Sequence, residues 1–500
     1  MNTLVIRADA SCQIGIGHVM RCLAIAQAWL ECGGAVSFVS RQLPGSLGER
    51  LRAEGVETIV ISCEAGSDDD ARQIVALARG RRAEWVVADG YDFGLEYQTQ
   101  LRNSGLKVLF LDDYGHANGY CADLVLNYNA YAREDSYRLG SETRLLVGPR
   151  YVLLRKEFSD WRAWKREITR DGKRVLVTLG GSDADHVART VMQALALVRV
   201  EGMEAKVVLG GNAARRLDLE PLVSAGQGKV SLTYNADNMP ELMAWADVAL
   251  ASAGSTAWEL CFMGLPALLI DLVPHQRRVA ETLEQMGMAQ HLDSSIDLSP
   301  GKVAEELESL LQAPERRSSM SQCGRELVDG RGAQRVVTAI RAGTLRLRRV
   351  EEKDCRLLWE WANDPDVRAV SFSTEPIPWE QHVTWFKSKL ADPNAVLYLA
   401  SDSENVPVGQ VRYQINTAEA VVSIDLAAGF RGKGLGGMAL AMATEALFDT
   451  TKVAVVHAYV KPDNEPSMKL FHNAKFTRRG VASVQGRPAV HFVLERKAEA

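Results

Sequence analysis

A histidine stands where a strand-like run gives way to a helical one, in Asp9-Ala10-Ser11-Cys12-Gln13-Ile14-Gly15-Ile16-Gly17-His18-Val19-Met20-Arg21-Cys22. Gly15 and Gly17 let backbone N–H groups come close to a ligand, and the positive end of the following helix points at the same place. That positive end disfavours imidazolium, so His18 is expected as a neutral imidazole able to take a proton. Arg21, one turn further on, is grouped with Gly15 and Gly17 as a substrate contact. The spacing is Gly-x-Gly-His with no third glycine, so it is not the dinucleotide fingerprint. A histidine that caps or packs at the turn has the same neighbours, and spacing alone does not separate the two readings.

Two later turns have a related make-up. Gly180-Gly181-Ser182-Asp183 follows one apolar run, and Ser252-Ala253-Gly254-Ser255-Thr256-Ala257-Trp258-Glu259 follows another. Small residues and hydroxyls at helix starts suit a diphosphate. Glu259, one turn into its helix, is placed to accept two ribose hydroxyls. Ordinary Ser/Thr capping explains each loop taken singly; the two together in one cleft point to a nucleotide. Asp183-x-Asp185 has the form of a metal site, but acids are favoured at a helix start in any case. No zinc spacing appears among the 9 histidines and 8 cysteines, and no metal is expected.

A third glycine-rich loop, Gly429-Phe430-Arg431-Gly432-Lys433-Gly434-Leu435-Gly436-Gly437, lies between a strand pattern and a helix pattern. Loop amides and the helix dipole there suit a pyrophosphate. Asn464-x-x-Ser467 and the run from Leu470 through Phe471 to Phe476 follow it. Ahead of it come Trp359-x-Trp361-x-Asn363-Asp364-x-x-Val367-Arg368, then Phe372-Ser373, His382 and Trp385-Phe386.

The elements that must hold these residues read as follows. The chain has 500 residues, which predicts about three domains. β-branched runs at 3–8, 35–40, 58–62, 85–90, 107–113 and 124–127 alternate with helical periods. This predicts βαβ units and a parallel, doubly wound sheet. A polar, aromatic stretch at 155–173 interrupts the pattern. It restarts with runs at 173–181, 205–211, 230–234, 247–254 and 266–271, followed by more helix that ends in a stretch over 314–341. Two such units in tandem place a cleft at the carboxyl ends of both sheets. From Thr344 strands and helices mix without strict alternation, so an α+β domain is expected after a linker near Ala342-Gly343. The expected domains are 1–160, 161–342 and 344–500.

Composition narrows the function. Hydrophobic residues at 47% and charged residues at 24% are a globular mix. A net charge of -5 gives no basic field for a phosphate backbone, so nucleic-acid binding is not expected. No apolar run reaches the ~18 residues that span a bilayer, and the first residues do not read as a secretory signal, so no membrane association is expected. Cys12, Cys22, Cys32 and Cys261 sit in apolar or helical patterns as reduced thiols would, which suits the cytoplasm.

Residues 3–340, through RADAS, IGIGHVMRC, GGSD and SAGST-x-x-E, resemble the UDP-sugar hydrolases of pseudaminic acid biosynthesis. That family is similar to GT-B glycosyltransferases of the MurG type, so the resemblance implies two Rossmann-like domains in a GT-B arrangement. It implies hydrolysis of UDP-2,4-diacetamido-2,4,6-trideoxy-β-L-altropyranose to UDP and free sugar. His18 would be the base that activates water for inverting attack, and Glu259 and loop 254–256 would hold uridine and phosphates. Where that family has an Asn-Gln pair this chain has Pro274-His275-Gln276, so His275 and Gln276 stand as sugar contacts in altered form.

Residues 345–496 resemble the GNAT acetyltransferases, through Arg431-x-x-Gly-x-Gly and the 464–476 segment. The resemblance implies acetyl-CoA as co-substrate. Leu426, Arg431, Gly432, Lys433, Gly434, Leu435, Gly436, Asn464 and Ser467 would contact it, with strand 421–426 along the thioester. The 359–386 segment is similar to the acetyltransferase of the same pathway, which acetylates the 4-amino group of a UDP-linked sugar; His382 would contact nucleotide or sugar. Many GNAT enzymes have a tyrosine acid where this chain has Phe471. A water, Tyr459 or Ser467 would then protonate the leaving thiolate, or CoA would leave as thiolate. The expectation is a bifunctional enzyme acting on UDP-sugars. The alternative is a GT-B glycosyltransferase fused to a regulatory acetyl-CoA-binding module.

Overall fold

The computed structural model describes every residue except 1–2, 12–13, 141, 181–184, 210–228, 235, 295–297, 343–344, 403–404, 433 and 497–500. Gly181, Ser182, Asp183 and Lys433 therefore lie outside the described residues, as does Gly343 of the expected linker. The chain separates into two compact units, Met1–Val337 and Thr338–Ala500, and the division falls inside the helix Gly332–Ala342.

The first unit holds two parallel sheets. One contains β1 (Thr3–Ala8), β2 (Ala35–Ser40), β3 (Glu57–Val60), β4 (Trp85–Asp89), β5 (Lys107–Leu111), β6 (Leu124–Asn127) and β7 (Arg144–Val147). Its spatial order is β3-β2-β1-β4-β5-β6-β7, all parallel. Helices cover both faces, so the central strands are almost wholly buried and read as mainly apolar runs. The order reverses between β1 and β4, and the crevice beyond their carboxyl ends is where such sheets bind ligands.

The second sheet contains β8 (Arg174–Thr178), β9 (Glu204–Leu209), β10 (Lys229–Tyr234), β11 (Val248–Ser252), β12 (Ala267–Asp271) and β13 (Ala289–Ser294). Its order is β10-β9-β8-β11-β12-β13, again parallel, reversing between β8 and β11. Gly180 follows β8, and the Gly254 turn follows β11. The doubly wound expectation is met in both sheets. Three details differ. β7 is a short strand beyond the expected runs, and β13 is one in a stretch expected to be helix: β13, AQHLDS, carries too little apolar patterning to announce itself. The 314–341 stretch is two helices, Pro314–Leu327 and Gly332–Ala342. In the polar stretch, residues Lys156–Trp161 form 3-10 turns.

A charged cluster lies within the first sheet's core. Arg7 on β1 is 0% exposed, and its guanidinium donates to Asp70 (Nη2 to Oδ2, 2.8 Å), itself 0% exposed. The Tyr97 hydroxyl donates to the same carboxylate at 3.0 Å, and Arg7 Nη1 lies 2.8 Å from Asp9 Oδ2. Asp9 in turn accepts the backbone N–H groups of Arg41 and Gln42. This arginine and Asp9 of the opening motif are thus structural, tying β1 to the helix Asp68–Gly80 and to the turn after β2.

The second unit is a seven-stranded sheet of β14 (Arg346–Arg349), β15 (Ala395–Ser401), β16 (Pro407–Asn416), β17 (Glu419–Leu426), β18 (Val455–Val460), β19 (Thr477–Val484) and β20 (Arg487–Glu495). The order is β14-β15-β16-β17-β18-β20-β19, antiparallel except for β17 with β18. That parallel ladder is short. It pairs Glu419 with Val455 and ends at Val421 with His457, although β17 runs on to Leu426 and β18 to Val460. The two strands part beyond that rung. On one face Tyr398, Val411, Tyr413 and Val456 pack with Leu440, Ala443 and Leu447 of the helix Leu435–Thr450. On the other, Leu397 and Leu399 pack with Leu358, Trp361 and Phe386. The α+β expectation holds. The hairpin of β19 and β20 was not anticipated, because β19 is exposed along most of its length and lacks alternation. The segment 355–370 forms two helices, Cys355–Ala362 and Pro365–Val370, with Pro365 opening the second.

Candidate functional sites

In the first unit, Gly15 has φ +80° and its N–H donates to the Ser11 carbonyl at 2.8 Å, closing the turn that opens the helix Gly17–Glu31. His18 sits on that helix's first turn and Arg21 one turn later, and both are buried. His18 Nδ1 lies 2.6 Å from Asp89 Oδ1, at the carboxyl end of β4. Arg21 donates to both oxygens of the same carboxylate, from Nε at 2.7 Å and Nη2 at 2.6 Å. Its Nη1 donates to Asp113 Oδ1 at 2.5 Å, and the Cys22 thiol lies 3.3 Å from Asp89 Oδ2. Burial alone would raise the Asp89 carboxyl, but Arg21 and then His18 outweigh it and hold it well below the usual carboxylate range. Asp113 is held down in the same way: burial raises it and Arg21 pulls it lower.

This fixes what the imidazole can do. An ionised carboxylate only accepts, so Nδ1 of the neutral ring must carry the proton and Nε2 must carry the lone pair. A histidine oriented through one nitrogen by a buried carboxylate is a positioned proton acceptor. Tyr91 stands edge-on to the His18 ring at 5.2 Å, with its hydroxyl donating to Asp113 Oδ2 at 3.0 Å.

The second sheet brings its own groups to the cleft. A Cβ built on Gly17 would lie 3.9 Å from Ser255 Oγ, so the starts of the helices Gly17–Glu31 and Ser255–Met263 face one another. The His275 ring lies 5.9 Å from Tyr91 and is stacked at 6.1 Å on Tyr114. Burial lowers its pKa. Gln276 Oε1 accepts the Leu272 N–H at 3.0 Å, and a Cβ on Gly254 would come within 3.5 Å of its Nε2. Gly180 (φ +79°) abuts Ser252. Thr256 is on the first turn of the helix that carries Glu259. Glu259 accepts from Arg155 Nη2 at 2.8 Å; burial raises its pKa and Arg155 opposes that. Gly15, Gly17, His18, Arg21, Gly180, Gly254, Ser255, Thr256, Glu259, His275 and Gln276 therefore all stand at the carboxyl ends of the two sheets. Asp89, Asp113, Tyr91 and Arg155 were missed from the sequence. The first two carried a signal: each acid closes or directly follows an apolar run, WVVAD or LFLD.

In the second unit, Gly432 (φ +72°) and Gly434 (φ +76°) are left-handed, and Gly434 caps the helix Leu435–Thr450. A Cβ on Gly436 would come within 2.7 and 2.8 Å of the Cδ1 atoms of Leu426 and Leu470, so a larger residue there would have to displace both side chains. Leu435 is buried. The Arg431 side chain turns to Asp364 (2.8 Å), Asp366 (3.1 Å) and the Leu426 carbonyl (3.1 Å), clamping the loop rather than projecting from it. Asn464 accepts the Ser467 N–H at 3.1 Å as the cap of the helix Glu465–Asn473. His382 is 3% exposed, with Nε2 3.1 Å from the Cys355 carbonyl, so the structure packs it instead of opening it to a ligand. Phe471 is a core residue. Among the described residues no group of three or more His, Cys, Asp and Glu side chains is arranged for a metal. Nor is any helix among them long and apolar enough to cross a membrane.

Residues 174–335 match the glycosyltransferase family 28 C-terminal domain, and residues 344–477 match the acetyltransferase (GNAT) domain. The UDP-2,4-diacetamido-2,4,6-trideoxy-beta-L-altropyranose hydrolase of Campylobacter jejuni is 23% identical over 289 residues, 57% of this chain and 97% of that one. Acetyltransferase PseH of the same species is 25% identical over 128 residues, 26% of this chain and 80% of its own. The chain is a fusion of a hydrolase-like GT-B unit and a GNAT acetyltransferase domain. The uncharacterized protein MJ1062 of Methanocaldococcus jannaschii is 23% identical over 501 residues, 95% of this chain and 97% of that one.

Proposed function

We propose that the chain is a bifunctional enzyme with domains over residues 1–160, 161–342 and 344–500. Its GNAT domain transfers acetyl from acetyl-CoA to UDP-4-amino-4,6-dideoxy-N-acetyl-β-L-altrosamine. Its GT-B pair hydrolyses the product, UDP-2,4-diacetamido-2,4,6-trideoxy-β-L-altropyranose, to UDP and free sugar. The observation that carries this is the His18–Asp89 pair, set at a helix start in the switch-point crevice and facing the Ser255 turn of a family 28-type region. His18 Nε2 takes a proton from water as the water oxygen attacks the anomeric carbon. The bond to the UDP oxygen breaks on the opposite face, so the configuration inverts. The departing diphosphate is met by helix-start amides, so no strong general acid is needed. Glu259 accepts the ribose hydroxyls, and His275 and Gln276 reach the sugar.

The test is to incubate the protein with acetyl-CoA and the UDP-amino-sugar and to follow products by NMR. The acetylated UDP-sugar should appear first, then UDP and the inverted free sugar. Hydrolysis that stays negligible until an acceptor sugar is supplied would point to a transferase instead. Chelation gives a second check: with helix ends meeting the diphosphate, EDTA should leave UDP release unchanged. A loss restored by added Mg²⁺ or Mn²⁺ would contradict that.

A further inference from the structure

The GNAT sheet carries a line of titratable groups that runs from Glu419 on β17 through His457 on β18, at the last rung before the two strands part, to His491 on β20, the strand beyond. Val456, Ala458 and Val460 face the core, so by strand alternation His457 and Tyr459 face the opposite side. Val490 and Phe492 place His491 on that side too. His491 is directly across from Tyr459, where β18 has already parted from β17, and its ring stacks on Tyr459 at 4.8 Å and 11°. His457 Nδ1 is 2.9 Å from His491 Nε2. The other nitrogen of His457, Nε2, is 3.2 Å from Glu419 Oε2, whose side chain is 62% exposed. That last contact is not aligned as a hydrogen bond, and rotation of the exposed glutamate would align it.

We propose that His491, His457 and Glu419 form a proton relay that takes the proton from the acceptor ammonium at the strand gap and delivers it to solvent. The proposal rests on reading this domain as an amine acetyltransferase. The carboxylate end sets the direction. Once Glu419 turns to accept from Nε2, His457 keeps its proton there and accepts at Nδ1; His491 then donates from Nε2 and has its lone pair on Nδ1. An aliphatic amine is mostly ammonium near pH 7 and has no lone pair to attack with. His491 Nδ1 takes one of its protons. His491 passes a proton from Nε2 to His457 Nδ1, and His457 passes one from Nε2 to Glu419 and so to water. The freed amine attacks the thioester carbonyl carbon, the C–N bond forms and the C–S bond breaks. The second nitrogen proton goes to the departing thiolate, so one proton leaves per turnover, and rotation of the two imidazoles with proton exchange restores their starting tautomers before the next.

The charged neighbours are Glu419 and Asp425 on β17, Arg412 on β16, Arg479 on β19 and Glu495 on β20, the last two paired at 2.8 Å. Burial lowers the His491 pKa, with His457 and Arg479 adding to that, which keeps it ready to accept.

The test is acetyl transfer by the full chain, read as CoA thiol release between about pH 6 and pH 9. His491→Gln and His457→Gln should each lower kcat about 100-fold near pH 7, with KM for acetyl-CoA within about threefold of the parent. The loss should shrink as pH rises, because the solvent then supplies free amine, and added imidazole should restore part of the rate. Glu419→Gln, at the exposed end, should show a smaller loss of the same pH form and carries the test if a histidine variant fails to fold by circular dichroism. A folded variant with kcat within about threefold of the parent near pH 7, or with a loss independent of pH, overturns the relay. If the parent acetylates spermidine or another simple amine but not the UDP-amino-sugar, the substrate reading falls and the relay is tested on that amine. If it acetylates none, both fall.

Discussion

His18→Gln is expected to lower UDP release by about 10² to 10⁴, the range for loss of a positioned general base, while acetyl transfer by the GNAT domain is unaffected. Gln can still donate from its amide to Asp89, so the buried carboxylate keeps a partner and the helix start its shape. What disappears is the lone pair at Nε2. Asp89→Asn should follow the same direction for a different reason. The amide can donate where the carboxylate could only accept, so the imidazole is no longer held with its proton on Nδ1, and Arg21 loses a charge-assisted pair. The two rates are measured side by side, UDP release on the diacetamido substrate and thiol release on the amine. A His18→Gln loss under tenfold, about 1.4 kcal/mol, would remove His18 as the base.

Asp70→Ala should destabilise the first unit by about 3–5 kcal/mol, the cost of leaving a buried charge without its partner. Arg7 is 0% exposed and donates to Asp70 through two nitrogens; Asp9 alone would remain to it, and the buried Tyr97 hydroxyl would lose its acceptor. The double variant Arg7→Met with Asp70→Leu should recover much of that loss, because two apolar side chains of similar volume leave no charge behind. Urea unfolding of the first unit measures both. A single-variant loss under about 1 kcal/mol would show that Asp9 and relaxation suffice for the guanidinium.

The parallel strands were legible because a strand covered on both faces is apolar at most positions: TLVIRA and AVSFVS are seen at their true bounds. β13 and β19 were not, since edge strands are held by backbone pairing and need no such pattern. The same asymmetry governs the sites. Glycines with positive φ, such as Gly15 and Gly434, announce themselves by residue type. Asp89 reaches His18 across 71 positions of chain, and only the folded sheet brings β4 beside β1. Arg431 shows the reverse case. Its type and motif suggest a phosphate contact, while nearby Asp364 and Asp366 claim the side chain.

The early end of the β17–β18 ladder leaves a debt in the backbone. Beyond Val421 and His457, β17 keeps its partner on β16 and β18 keeps its partner on β20, so each strand has one inward edge of peptide N–H and C=O groups with no strand opposite. Buried peptide groups need partners; Arg431 Nε meets the Leu426 carbonyl at 3.1 Å, and no strand meets the others on these edges. A slender ligand with amide groups of its own would fit that gap as an extra strand does, satisfied by main chain and so indifferent to the side chains on either wall. Amide hydrogens on the inward edges of residues 422–426 and 458–460 should then exchange with solvent freely in the empty protein and slowly once acetyl-CoA is bound.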